Sequence, residues 1–258
     1  KDMKKSVKII IAVMAVVLIA GGAVGAVAYT RYQEAKQKEE EADPNQAEAG
    51  YQDMQANLVI EKEDPYESKI DFESLWEVNE DAYAWIQIPG TVIDYPILQS
   101  ATEEDDYYLN TTIDRKTGYP GSIYTEKYNS TAFTDPVTVV YGHDMKEGTM
   151  FSDLHKYEDK EFFDSNPYIY IYLPDRTLKY QVFAAVRFDD RYILGNYNFT
   201  EAEDFQSYLD EIRSSIDGNV NFDVEVTQQS SILTLSTCIA DSPEQRWIVN
   251  ATLVEAED

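Results

Sequence analysis

Cysteine and histidine are scarce in this sequence, with one Cys and two His in 258 residues. A lone thiol excludes an intramolecular disulfide, and in an oxidising exterior it is a liability unless its reactivity is used. Positive charge is also thin: Lys and Arg number 21 against 48 Asp and Glu, a formal net charge of −27. Such a field repels phosphate backbones and anionic head groups, so nucleic acid is excluded as a partner. The acids form no EF-hand spacing, even around Glu103, Glu104, Asp105 and Asp106, and no metal site or cofactor is expected. No repeat of solenoid period occurs.

One long apolar run is present. Residues 9–28 are uncharged and mostly aliphatic, long enough at 1.5 Å per residue to cross a hydrocarbon core of roughly 30 Å. Lys1, Lys4, Lys5 and Lys8 precede it, while Arg31 and a mainly acidic tract follow. That asymmetry predicts a single-pass anchor in the cell membrane, with the amino end cytoplasmic and the rest of the chain outside. The run exceeds the apolar length usual for a cleaved signal peptide, the competing reading. The expected organisation is a cytoplasmic segment 1–8, a transmembrane helix 9–28, a flexible acidic stalk 29–65 and a folded extracytoplasmic domain 66–258. The stalk expectation rests on a polar composition with no sustained apolar face and on the breaker Pro44.

Within the domain, apolar residues from Ile70 to Ile86 recur at helical spacing, with Asp71 and Glu73 near the amino end, which predicts an opening amphipathic helix. Short runs rich in Val, Ile, Tyr and Thr follow at 86–98, 121–128, 137–141, 168–173, 178–188, 222–226, 232–235 and 246–254. Turn signals such as Pro89-Gly90, Pro174-Asp175 and Asp217-Gly218 separate them. The pattern predicts a mainly β domain whose eight strands close into a barrel. Thr200 followed by Glu203 reads as a capping box opening a helix over 200–216, inserted before the strand that leads to the cysteine-bearing strand.

Cys238 stands at the carboxyl end of one strand pattern, Ser231-Ile232-Leu233-Thr234-Leu235-Ser236-Thr237-Cys238. An arbitrary free cysteine is more often a small buried hydrophobe. Two neighbours in the pattern change that: His143 ends a second strand run through Tyr141-Gly142-His143, and Arg246 opens the last strand, where a tight loop would return it beside the thiol. A cation there can stabilise a thiolate or an oxyanion, and an imidazole can move protons. Thr237, Ser236 and Tyr141 flank this set and are candidate substrate-binding residues; a purely structural place in the sheet is the alternative. His155 lies in a short polar helical segment and is expected to face water.

The block Thr234-Leu235-Ser236-Thr237-Cys238, the upstream Tyr141-Gly142-His143, and Arg246 with Trp247-Ile248-Val249 resemble, in order, the signatures of the sortase family. Gly142-His143-Asp144-Met145, the later Gly148-Thr149-Met150-Phe151, the amino-terminal helix and the inserted helix resemble class B sortases, over roughly residues 70–254. The resemblance implies an eight-stranded β-barrel and a cysteine transpeptidase with Cys238 as nucleophile, His143 as general acid/base and Arg246 as oxyanion or substrate stabiliser. It implies cleavage of a carboxyl-terminal sorting motif after threonine through a thioester, then transfer to an amine of the peptidoglycan precursor or cross-bridge. The implied partners are surface or pilin proteins bearing such a signal. Pilin polymerisation and a hydrolytic cysteine peptidase are the enzymatic alternatives, and a non-enzymatic wall or adhesion module is the alternative outside enzymes.

Overall fold

A computed structural model describes residues 41–60 and 68–257 of the chain. The expected cytoplasmic segment 1–8, the expected membrane span 9–28 and the first part of the expected stalk lie outside the described residues. Among the described residues no helix is long and apolar enough to cross a membrane.

The chain opens with α1 (Pro44–Leu58) and α2 (Phe72–Val78), followed by β1 (Ala82–Gln87), β2 (Asp94–Leu98), β3 (Ile123–Tyr124) and β4 (Val137–Tyr141). After α3 (Lys160–Ser165) come β5 (Tyr168–Tyr172), β6 (Thr177–Asp189), α4 (Ile193–Asn196), α5 (Ala202–Ser214), β7 (Gly218–Val220), β8 (Ile232–Cys238) and β9 (Gln245–Glu257). Two 3-10 turns, η1 (Tyr107–Asn110) and η2 (Ser152–Glu158), sit in the connections. The strands pair in the order β5-β1-β2-β3-β4-β8-β9-β6, and β6 pairs back with β5, so eight strands close a barrel. Pairing is mixed: β2–β3 and β4–β8 are parallel, the other barrel pairs antiparallel. Closure leaves no long unpaired edge. β7 is a ninth, three-residue strand laid on β6.

Alternation along the strands divides two apolar clusters. Val140, Leu233, Leu235, Trp247, Val249 and Ala251 point into the barrel. Val137, Val139, Ile232 and Ile248 point outward and are covered by α5 through Phe205, Tyr208, Leu209 and Ile212, each at most 2% exposed. Burying each of these large side chains is worth about 1.5–3 kcal/mol. α5 therefore roofs part of the outer face of β4, β8 and β9, and β8 is buried on both faces until its last residue.

The expected helix over 70–86 is only two turns, because Asn79 ends it and β1 starts at Ala82. The strand expected over 86–98 is a hairpin, folded at Pro89-Gly90 with Gly90 at φ +79°. The stretch 222–226 is not a strand; Val224 and Val226 bury their side chains from irregular backbone, and β7 lies just before it. No capping box forms at α5, since Thr200 Oγ1 donates to Asn198 Oδ1 at 2.7 Å and the helix starts at Ala202.

The stalk expected to run to residue 65 is corrected over Pro44–Leu58. Pro44 falls at the first helical position, where a missing N–H costs nothing, and Asp43 caps the helix by accepting from the Asn45 N–H at 3.0 Å. α1 buries Tyr51 and Met54 against the barrel, and Tyr51 Oη donates to Gly121 O at 3.0 Å. A polar helix with only two buried anchors carries too weak an apolar stripe to stand out in sequence. Tyr51→Phe is expected to lower the urea-unfolding free energy by about 1–2 kcal/mol, since it leaves a buried carbonyl short of a donor; unchanged stability would show that α1 is not part of the cooperative fold.

Candidate active site

The site is set by strand register. In the parallel β4–β8 ladder Val137 faces Ile232 and Tyr141 faces Ser236, an offset that holds along the whole pairing. Two residues further, the same offset brings His143 beside Cys238. The contact continues past the end of β4: Gly142 N–H donates to Ser236 O at 3.2 Å, and Thr237 Oγ1 donates to Gly142 O at 2.8 Å. On the other side of β8, Cys238 pairs directly with Arg246. Side chains at one level of neighbouring strands share a face, so His143, Cys238 and Arg246 all lie on the outer face, just beyond the roof that α5 provides.

Each candidate is held by main-chain groups. Cys238 is exposed at the end of its buried strand. His143 is half-buried; Nε2 lies 2.7 Å from Leu109 O in η1, and the Tyr119 ring sits 4.9 Å away, centroid to centroid. Because a carbonyl only accepts, Nε2 carries the hydrogen, and in the neutral ring Nδ1 keeps the lone pair. Burial pulls the His143 pKa below the ordinary imidazole value, with the Leu109 carbonyl working against that shift. The backbone of His143 is pinned as Phe151 N–H donates to its carbonyl at 2.9 Å. Gly142 is required by space: a Cβ there would sit 2.5 Å from Ile123 Cδ1 and 2.7 Å from Phe151 Cδ2. Arg246 Nη1 donates to Pro243 O at 2.8 Å and Gln245 O at 2.9 Å, which braces the guanidinium on the β8–β9 loop.

These three residues line one groove of about 350 Å³. Tyr141, Ser236 and Ile248 are among its lining residues, together with Tyr124, whose ring stacks on Tyr141 at 5.4 Å. Asp106, Glu126 and the segment from Asp189 to Ile193 also line it. Arg191 is committed to Asp189 and Glu211, and desolvation raises the Glu126 pKa.

Of the residues expected from sequence, Cys238, His143, Arg246, Tyr141, Ser236 and Thr237 all line this groove. The Thr237 side chain is buried on the inner face, where its hydroxyl ties β8 to Gly142. No acid is hydrogen-bonded to His143 among the described residues. His155 departs from its expected place in water: it is half-buried, its ring stacks on Trp247 and its Nε2 lies 3.0 Å from Cys238 O. The acidic groove residues come from two connections and from the end of β6, and carry no spacing signal in the sequence.

An exposed thiol flanked by a histidine and an arginine at the strand ends of a closed mixed barrel defines a candidate cysteine acyl-transfer site. The "Sortase domain" family profile matches residues 86–254, and the chain belongs to the sortase family. Sortase B of Listeria monocytogenes is 33% identical over 190 residues, covering 73% of this chain and 76% of that protein. Sortase B of Staphylococcus aureus is 36% identical over 170 residues, covering 65% and 67%. The solved Staphylococcus aureus sortase B–substrate complex superposes with a TM-score of 0.69 at 29% identity, over 82% of this chain and 97% of that one. The protein is thus a sortase-type cysteine transpeptidase, similar to sortase B.

The lowered His143 pKa has a measurable sign. An unfolded histidine titrates near 6.5, so between that value and the lower native one the unfolded state binds more protons, and folding stability falls as pH drops through the window. The His143 resonance is expected to titrate below 6.5, and His143→Gln to lose less stability than wild type across that window. A His143 midpoint above 6.5 would contradict the burial assigned to the ring.

Proposed function

We propose that Cys238 is the nucleophile, His143 the general acid/base and Arg246 the electrostatic stabiliser of a transpeptidation on a carboxyl-terminal sorting signal. The single observation carrying this reading is the register that sets His143 and Arg246 on either side of Cys238, on one face and at one level. Cys238 Sγ passes its proton to His143 Nδ1 and, as thiolate, attacks the carbonyl carbon of the threonine in the motif. The resulting oxyanion is met by the Arg246 guanidinium, a fixed charge in a partly desolvated groove. The C–N bond breaks as His143 Nδ1 gives its proton to the departing amine, and a thioester remains on Cys238.

An amine of the peptidoglycan precursor or cross-bridge then attacks the thioester carbon. His143 takes its proton, the S–C bond breaks, and the new amide leaves with the thiolate restored. The bond from Nε2–H to Leu109 O supports this role, because it orients the ring and leaves Nδ1 to carry the proton. The carboxylates of Asp106, Glu126, Asp189 and Asp190 around the groove favour the approach of a cationic amine, which loses its ammonium proton to solvent before its lone pair attacks. Staphylococcus aureus sortase B was solved with a substrate, and similarity to that structure supports a surface or pilin protein's sorting signal as the groove's occupant. A membrane anchor at residues 9–28, holding the domain outside the cell, is part of the same proposal and rests on the apolar run and its flanking lysines.

With a sorting-signal peptide, addition of an oligoglycine amine is expected to divert product from the free acid to the amide, and Cys238→Ala to yield neither. Arg246→Ala is expected to lower turnover by roughly 10²–10³-fold. Product that stays a free acid at every amine concentration would identify a peptidase, and Arg246→Ala turnover within threefold of wild type would remove Arg246 from the mechanism.

A further inference from the structure

His155 is the second of the two histidines, and the proposed chemistry does not use it. It lies in η2, outside the groove, on the far side of the Cys238 main chain. Every polar group around its ring is an acceptor. Nδ1 is 2.7 Å from Glu158 Oε1, Nε2 is 3.0 Å from Cys238 O, and Asp144 Oδ2 is 3.7 Å from Nε2. The ring stacks at 26° on Trp247, whose Nε1 donates to Leu154 O at 2.9 Å and so binds the indole to η2. A carbonyl cannot donate, so the contact to Cys238 O is a hydrogen bond in which Nε2 carries the hydrogen.

The ladder explains why Cys238 O needs this partner. Ser236 O accepts from Gly142 N–H across β4–β8, and with a period of two the Cys238 carbonyl points toward the same neighbour. Had β4 continued in register, Asp144 N–H would meet it. Instead the chain leaves the ladder at Gly142, and Asp144 bridges to Met150 in a small loop. The departure frees His143 to enter the groove but removes a ladder donor at the residue bearing the thiol. His155 Nε2–H supplies that donor.

We infer that His155 is a positioning residue for acyl transfer: set between Glu158 and the Cys238 carbonyl, its ring fixes the main chain of the nucleophile where β4 no longer can. The inference rests on Cys238 being the nucleophile. A shift of about 1 Å in a reacting group can cost on the order of a hundredfold in rate, so a carbonyl freed from His155 reaches the chemistry without His155 touching substrate. The groups facing the ring are Asp144 from the β4 exit, Glu158 from its own turn, and Cys238 and Trp247 from β8 and β9.

The test compares wild type, His155→Phe, which keeps the stacking without a donor, and His155→Gln, whose amide can still donate toward Cys238 O. Single-turnover acylation by a sorting-signal peptide is measured at saturation and normalised to titratable Cys238 thiol, with thermal melts alongside. His155→Phe is expected to acylate roughly ten- to a hundredfold more slowly at unchanged peptide affinity, and His155→Gln to recover most of the rate. The ¹⁵N spectrum of wild-type His155 should show Nε2 carrying a hydrogen. Acylation by His155→Phe at the wild-type rate, a deficit that vanishes on normalisation, or an Nε2 without a hydrogen would each overturn the inference while leaving Cys238 as nucleophile. Absence of any Cys238 adduct in wild type would overturn both.

Discussion

The site depends on the parallel ladder between Val137–Tyr141 and Ile232–Cys238. A slip of one residue in a strand moves every side chain to the opposite face. Slipped in that way, β8 would turn the thiol into the barrel and Thr237 out toward the groove. The slip is resisted on both faces, because Leu233 and Leu235 fill the barrel while Ile232 packs under α5. Tyr208 Oη, Thr234 Oγ1 and Asn250 Oδ1 add a buried polar contact set beneath the helix, with separations from 2.8 to 3.1 Å. Packing that specifies the fold therefore also specifies which residues meet at the strand ends.

The same ladder must stop for the site to exist. α5 covers the outer face over Val139 and Ile248 but does not reach Cys238, so the last level of the sheet opens into the groove. There β4 turns away at Gly142, where neighbouring Ile123 and Phe151 leave no room for a side chain. His143 is then held by Leu109 O from a different connection, and Arg246 by carbonyls of its own loop. Rigid strands aim the three groups, and short loops fix their tips.

Much of this was legible in the sequence, for identifiable reasons. Cys238 stood out because it is the only thiol, and His143 and Arg246 because each breaks an apolar strand run at its end. The barrel followed from alternation and turn residues. Helix α1 was missed because its anchors Tyr51 and Met54 sit in an otherwise polar stretch. The 222–226 stretch was misassigned because buried Val224 and Val226 alternate as a strand would, although no neighbour pairs with them. His155 was placed in water because local spacing says nothing of Trp247 and Cys238, 92 and 83 residues downstream, which tertiary folding brings against it.

Trapping the covalent intermediate tests the central claim most directly. Protein incubated with a sorting-signal peptide in the absence of amine, quenched in acid and mapped by mass spectrometry, should carry the amino-terminal part of the peptide on Cys238 as a hydroxylamine-labile thioester. An adduct on any other residue, or amide product forming from Cys238→Ala, would contradict a mechanism built on the level shared by His143, Cys238 and Arg246.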